Sequence, residues 1–245
     1  MAISISLPAE RVRRRVRLAF AVLLAGAIVA LGAGALAVSR SSVFHARGIE
    51  VTGASHLSRA EVVRTAGVST ATNVLWLDER AAEAALEADP WVASAHVAVD
   101  LPWTIRIDVV ERTPVAVAVN GLRRTLVAGD GGSLGAVERL HGLPRIELPP
   151  TAALGISESP SGAAVAIEAM PPALRAEVTE VTVFVGGDLE MRLRGGIHVR
   201  YGSSAEPQRK ASVLARIFAW AQDAGERILA VNVVAPDAPA VRTAA

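Results

Sequence analysis

The sequence predicts an α+β protein carried on a single N-terminal transmembrane helix. Three observations predict it. Residues 18–39 contain no charged side chain. Between residues 58 and 109, two helical patterns with start and stop signals precede two strands of clean alternation. Further on, three short β-rich runs separated by glycine pairs lead into a long amphipathic stretch and a last apolar run.

The anchor comes first. A helix crossing about 30 Å of hydrocarbon needs about 20 apolar residues, and residues 18–39 supply them without the polar stripe of a soluble helix. Arg11, Arg13, Arg14, Arg15 and Arg17 precede this block, whereas only Arg40 and Arg47 follow closely. The positive-inside rule then puts residues 1–17 in the cytoplasm as a short tail and everything after residue 40 outside. Ala35-Leu36-Ala37 also fits a signal-peptidase pattern, so a cleaved signal is the rival reading. The apolar run exceeds the ~7–15 residues of a signal core, which favours the uncleaved anchor. Gly26, Ala30 and Gly34 recur at helical spacing, as on a close-packing face.

Composition narrows the function. The hydrophobic fraction is 51 % and the mean hydropathy +0.38, much of it from the anchor. A net charge of +1 implies no general attraction to nucleic acid, and 4 % aromatics leaves few platforms for stacking bases. Cysteine is absent, so the outer region must hold together by its core alone.

Residues 43–112 read as a compact unit. Residues 44–51 can form a strand ending in the turn Thr52-Gly53-Ala54. Ser58 and Glu61 form a capping box, and Gly67 stops the short helix that follows. Asp78 is a good N-cap for a second helix, which Asp89-Pro90 ends near residue 88. In the next strand Ala95, Val97 and Val99 oppose Ser94 and His96. In the one after it, Ile105, Ile107 and Val109 oppose Arg106 and Asp108. Trp91 and Trp103 sit in the flanking turns, with a core or lid role as the default.

Residues 113–242 read as a second, β-rich region. Residues 115–119 alternate weakly, and 125–134 form a hairpin around a glycine turn. The stretch 149–162 is a loop or a break between layers, and 163–177 is helical with an interruption at Pro171-Pro172. Strands at 178–185, 189–194 and 197–201 form an antiparallel meander. A helix over 207–224 presents Val213, Leu214, Ile217, Phe218 and Ala221, and a last strand covers 228–234.

The order β-α-α-β-β of the first unit resembles a POTRA domain. The arrangement after an N-in anchor resembles the bacterial cell-division family FtsQ/DivIB. The segments that carry this are "FHARGIEVTGASHLSRAEVV", "NVLWLD" and "DPWVASAHVAVDLPWTIRIDVVERTPVA". The likeness continues through "DLEMRLRGGIHVRYG", Lys210 and its helix, and "ILAVNVVAPDAPAVR", and is thinnest over 120–175. It implies a non-enzymatic, single-pass scaffold at the division septum that binds FtsB- and FtsL-type partners, with septal synthases as further candidate partners, and needs no cofactor. In that family the last strands receive an extended segment of FtsB. The resemblance carries this role to Ile228, Ala230, Val231, Asn232, Val233, Val234, Val241 and Arg242. Little sequence follows Val241-Arg242, so a final edge strand is expected to be short, with 228–234 as the other pairing candidate. The edges of the small sheet could also accept a strand.

Two other classes stay open on the residues. A POTRA-bearing factor for protein transport would show tandem units or a membrane barrel, and one unit is visible. A membrane-anchored hydrolase would use Lys210 with Ser203, Ser204 or Ser212; Lys210 is expected at a solvated position, which argues against the lowered pKa such chemistry needs. His45, His56, His96, His141 and His198 lack metal-ligand spacing, and no catalytic or phosphate-binding motif occurs.

Overall fold

The computed structural model describes residues 9–100, 102–139, 142–149 and 159–244, with side chains from Arg17 onward. The α+β expectation is borne out. α1 spans Ala9–Ser39, and its stretch Arg17–Ser39 is 23 residues of largely apolar helix with no buried side chain. At 1.5 Å per residue that stretch is about 34 Å long, enough to cross a bilayer with some tilt. Arg17 is exposed; the side chains of Arg11, Arg13, Arg14 and Arg15 lie outside the described residues, as do His141 and most of the loop expected at 149–162.

The chain divides into two compact units. One takes the chain to Leu86 with Ala95–Val109; the other takes Glu87–Ser94 and everything from Val110.

The first unit runs β1 (Gly48–Thr52), α2 (Arg59–Thr65), α3 (Glu79–Glu87), β2 (Val92–Asp100) and β3 (Thr104–Glu111). The strand order is β1-β3-β2, with β1 parallel to β3. β1 is shorter than expected. Residues 42–44 form a 3-10 turn, and His45 bridges to Asn73 instead of joining the sheet. The capping box forms as read: Ser58 Oγ accepts from the Glu61 amide, and the Glu61 carboxylate accepts from the Ser58 amide at 2.9 Å. That carboxylate is held below its usual range, first by the Ser58 hydroxyl. Asp78 Oδ1 accepts the Ala81 amide at 3.0 Å and so starts α3. Ile105, Ile107 and Val109 are buried with Val97, Leu86 and Val62, so one sheet face is packed under the two helices. Gly53 ends β1 at φ +78, and a Cβ there would lie 1.9 Å from the Val109 carbonyl oxygen. Only glycine fits.

The second unit is built on one sheet in the order β12-β11-β10-β9-β8-β7-β4-β5-β6. Its strands are β4 (Pro114–Asn120), β5 (Arg123–Ala128), β6 (Ser133–Ala136), β7 (Arg145–Glu147), β8 (Val178–Val183), β9 (Leu189–Leu193), β10 (His198–Gly202), β11 (Ile228–Asn232) and β12 (Ala240–Thr243). The meander β8-β9-β10 is antiparallel as expected. The weak alternation of β4 has a physical cause. Ala116 and Ala118 pack into the main core while Val117 packs with Leu126, Ala128 and Leu134 on the other face, so neither face is wet. α4 (Ser161–Glu168), α5 (Pro172–Arg175) and α6 (Pro207–Ala224) accompany this sheet. Leu214, Ile217 and Ala221 of α6 join Val181, Met191 and Val199 in one core. Pro207 starts α6, and Gly225 at φ +70 ends it.

Candidate functional site

α6 holds one surprise. Lys210 is only 2 % exposed, contrary to the solvated position expected for it. Helical side chains lean toward the N-terminus of their helix, and here the lysine reaches back under the end of β10. Its Nζ donates to the carbonyls of Tyr201 (3.0 Å) and Ser203 (2.8 Å) and lies 5.0 Å from the Tyr201 ring centre. Burial lowers its pKa from the ordinary value, and burial pushes the Tyr201 phenol up to about 12. The ammonium is therefore engaged by backbone oxygen. Ser212 Oγ donates to the Gln208 carbonyl at 2.8 Å, and Ser203 meets the lysine through its carbonyl oxygen. No described serine hydroxyl is hydrogen-bonded to Lys210 Nζ, as a Ser–Lys nucleophile would need. Among the described residues no cluster of three His, Asp or Glu could hold a metal ion.

The surfaces that could meet another chain are the sheet edges, because outer strands carry backbone groups with no strand beyond them. The two edges of the small sheet are occupied. On β2, the Glu83 carboxylate accepts the Val97 amide at 2.9 Å and the Glu79 carboxylate accepts the Val99 amide at 3.2 Å. The Val97 amide is the main cause, and the His96 ring the next, of a Glu83 pKa below its usual range. On β1, the Arg59 guanidinium donates to the Ile49 carbonyl. Strand addition to this sheet, expected from its topology, is thus opposed by side chains of its own helices. At one end of the large sheet, β6 is distorted: Gly135 has φ +116, and the β5–β6 register shifts beside it.

The other end is β12. Among the described residues it pairs with β11 alone, antiparallel, through Ile228↔Thr243, Ala230↔Arg242, Val231↔Val241 and Asn232↔Ala240. β11 in turn pairs with β10 in parallel, and the Val233 amide donates to the Arg200 carbonyl at 3.0 Å. Of the residues expected to bind a partner, Ile228, Ala230, Val231 and Asn232 therefore lie in an inner strand flanked on both sides. At Ala230, Val231 and Asn232 the register pairs both sides, so that backbone is not free for another chain. Ile228, Val231 and Val233 are buried. Val234 is exposed, its amide donating to Asn232 Oδ1 at 3.0 Å. Val241 and Arg242 lie on β12, exposed. Beside them Val213, Ile217 and Trp220 of α6 form a groove with Pro236, Pro239 and Val241. Arg209 reaches across to Asp237 in the β11–β12 connection and also pairs with Glu206 at 3.0 Å.

Residues 44–112 match the family described as POTRA domain, FtsQ-type. This segment is therefore similar to POTRA domains of the FtsQ type. The likeness reaches beyond it. The chain is 27 % identical over 238 residues to the cell division protein FtsQ of Mycolicibacterium smegmatis, covering 97 % of this chain and 68 % of that one. It is 37 % identical over 134 residues to the protein of the same name from Koribacter versatilis, covering 51 % of this chain and 38 % of the relative. The FtsQ of Bradyrhizobium diazoefficiens is 27 % identical over 165 residues, with 67 % and 47 % covered. The match thus spans well under half of the Koribacter relative's length. These findings bear out the resemblance to the FtsQ/DivIB family.

Proposed function

We propose that this chain is a single-pass membrane scaffold of the bacterial division machinery, and that β12 receives an extended segment of a partner of the FtsB type, held with an FtsL-type protein. The observation that carries the binding site is the state of the sheet edges: among the described residues, β12 is the outer strand with β11 on one side and no strand on the other, and with exposed Val241 and Arg242 along it. Strand addition draws its affinity from main-chain hydrogen bonds and its specificity from side-chain pockets. The α6 groove beside Val241 supplies such a pocket. Anchoring scaffold and partner in one membrane raises their effective concentration, so a four-residue edge suffices. By this reading α1 places the N-terminus in the cytoplasm, the folded units lie outside, and the protein acts at the septum.

The test is co-purification from membranes with the organism's own FtsB- and FtsL-type proteins. Val241→Lys, a charge on the edge strand, is expected to abolish recovery while the unfolding temperature stays that of the parent. Undiminished recovery with the folded variant would remove β12 as the site.

A further inference from the structure

A patch of exposed apolar residues sits where the anchor ends. α1 stops at Ser39, and the chain then makes the 3-10 turn Ser42–Phe44. The connector after α2 is tied to this exit by backbone bonds on both sides of the His45↔Asn73 bridge: Ala46 N–H to the Thr72 carbonyl (2.9 Å) and Val74 N–H to the Phe44 carbonyl (2.9 Å). Asn73 Nδ2 donates to the Ser39 carbonyl at 2.7 Å, one of the last carbonyls of α1. Asn73 also turns the connector, its Oδ1 accepting from the Leu75 amide at 3.0 Å. Val43 (59 % exposed), Leu75 (48 %) and Trp76 (56 %) face outward on this clamp. The Arg40 guanidinium stands 5.6 Å from the centre of the Trp76 ring.

We propose that Val43, Leu75 and Trp76 form a second membrane contact, seated in the outer interfacial layer of the bilayer, with Arg40 directed to lipid phosphate. The inference rests on the reading that α1 crosses the membrane. Given that reading, the occupant follows from position. A helix exit lies at the level of the lipid headgroups, and Asn73 holds the connector to that exit. Tryptophan beside apolar side chains and an arginine is the composition of such interfaces. The carboxylates that follow in the sequence are turned to their own unit: Asp78 caps α3 and Glu79 accepts the Val99 amide. The contact would limit the tilt of the POTRA unit relative to the bilayer.

The chain has no cysteine, so one introduced residue can carry a spin label alone. Full-length Leu75→Cys, nitroxide-labelled, is reconstituted in vesicles of phosphatidylethanolamine and phosphatidylglycerol. Ala60→Cys, exposed on the first turn of α2, is the reference. The label at 75 is expected to collide several-fold more with oxygen, and several-fold less with a water-soluble nickel chelate, than the label at 60. Adding Trp76→Ser is expected to reverse most of that difference. If carbonate strips the chain from the vesicles, the anchor reading fails and the proposal with it. If the chain is retained and the label at 75 is as wet as that at 60, the proposal alone fails. Protection that disappears when the chain is diluted in lipid would mean chain–chain contact and would also overturn it.

Discussion

In the three-stranded sheet, each outer strand is met by a side chain from its own unit: Glu79 and Glu83 accept amides of β2, and Arg59 donates to a carbonyl of β1. In the nine-stranded sheet, β12 has β11 on one side and no strand on the other among the described residues, with exposed Val241 and Arg242 along it. Charged side chains over an edge are a common way to keep a sheet from recruiting another chain. The difference teaches that a small sheet with two outer strands is not by itself a docking site. Whether an edge is available depends on what the neighbouring helices place over it.

The largest effect separates inner from outer strand. Val231 is 2 % exposed and paired on both sides, so Val231→Asp is expected to cost about 4 kcal/mol or more by burying a carboxylate. Thermal unfolding would show it. Val241→Asp, one strand further out, is expected to leave stability nearly unchanged. Equal losses at the two positions would mean that β12 is not an edge in solution.

Lys210 tests how the C-terminal end of the large sheet is held. Lys210→Ala removes both of its carbonyl contacts and leaves the space empty, an expected loss of about 3 kcal/mol in denaturant unfolding. An unchanged midpoint would show that the lysine is solvated after all.

The smallest effect concerns the covered edge. The folded pKa of Glu83 is lowered from 4.5. Its contribution is therefore present above the ordinary carboxylate range and is lost as pH falls through the lower, folded value. Glu83→Gln is expected to flatten the acid side of the stability profile, and Glu83→Ala to speed hydrogen exchange at the Val97 amide. A Val97 amide equally protected in the variant would break the contrast between the two sheets.

Much of the architecture was legible because its signals are local. The Ser58–Glu61 box, the limits of α6 at Pro207 and Gly225, and the alternation of β3 all act within a few residues. The apolar length of α1 is likewise a property of adjacent residues. Lys210 was misjudged although its signal was present: positions 210, 214, 217 and 221 share one helical face, and three of them are plainly apolar. The candidate site was legible only in part. The sequence marked the C-terminal strands, but strand order is set by which segments pair across long separations, and a run of five residues does not state its neighbours.

By itself the sequence determined the elements of this protein: an anchor, two capped helices, alternating strands and a helix opened by proline. The tertiary structure alone decided that β11 is enclosed, that β12 is outermost, that carboxylates cover β2, and that the connector at Asn73 is fastened to the end of the anchor. The division has a physical cause. Helix and strand formation follow from periodicity and caps within a few residues, whereas exposure of an edge depends on partners 10 to 20 residues distant, as Arg59 is from Ile49 and Glu79 from Val99.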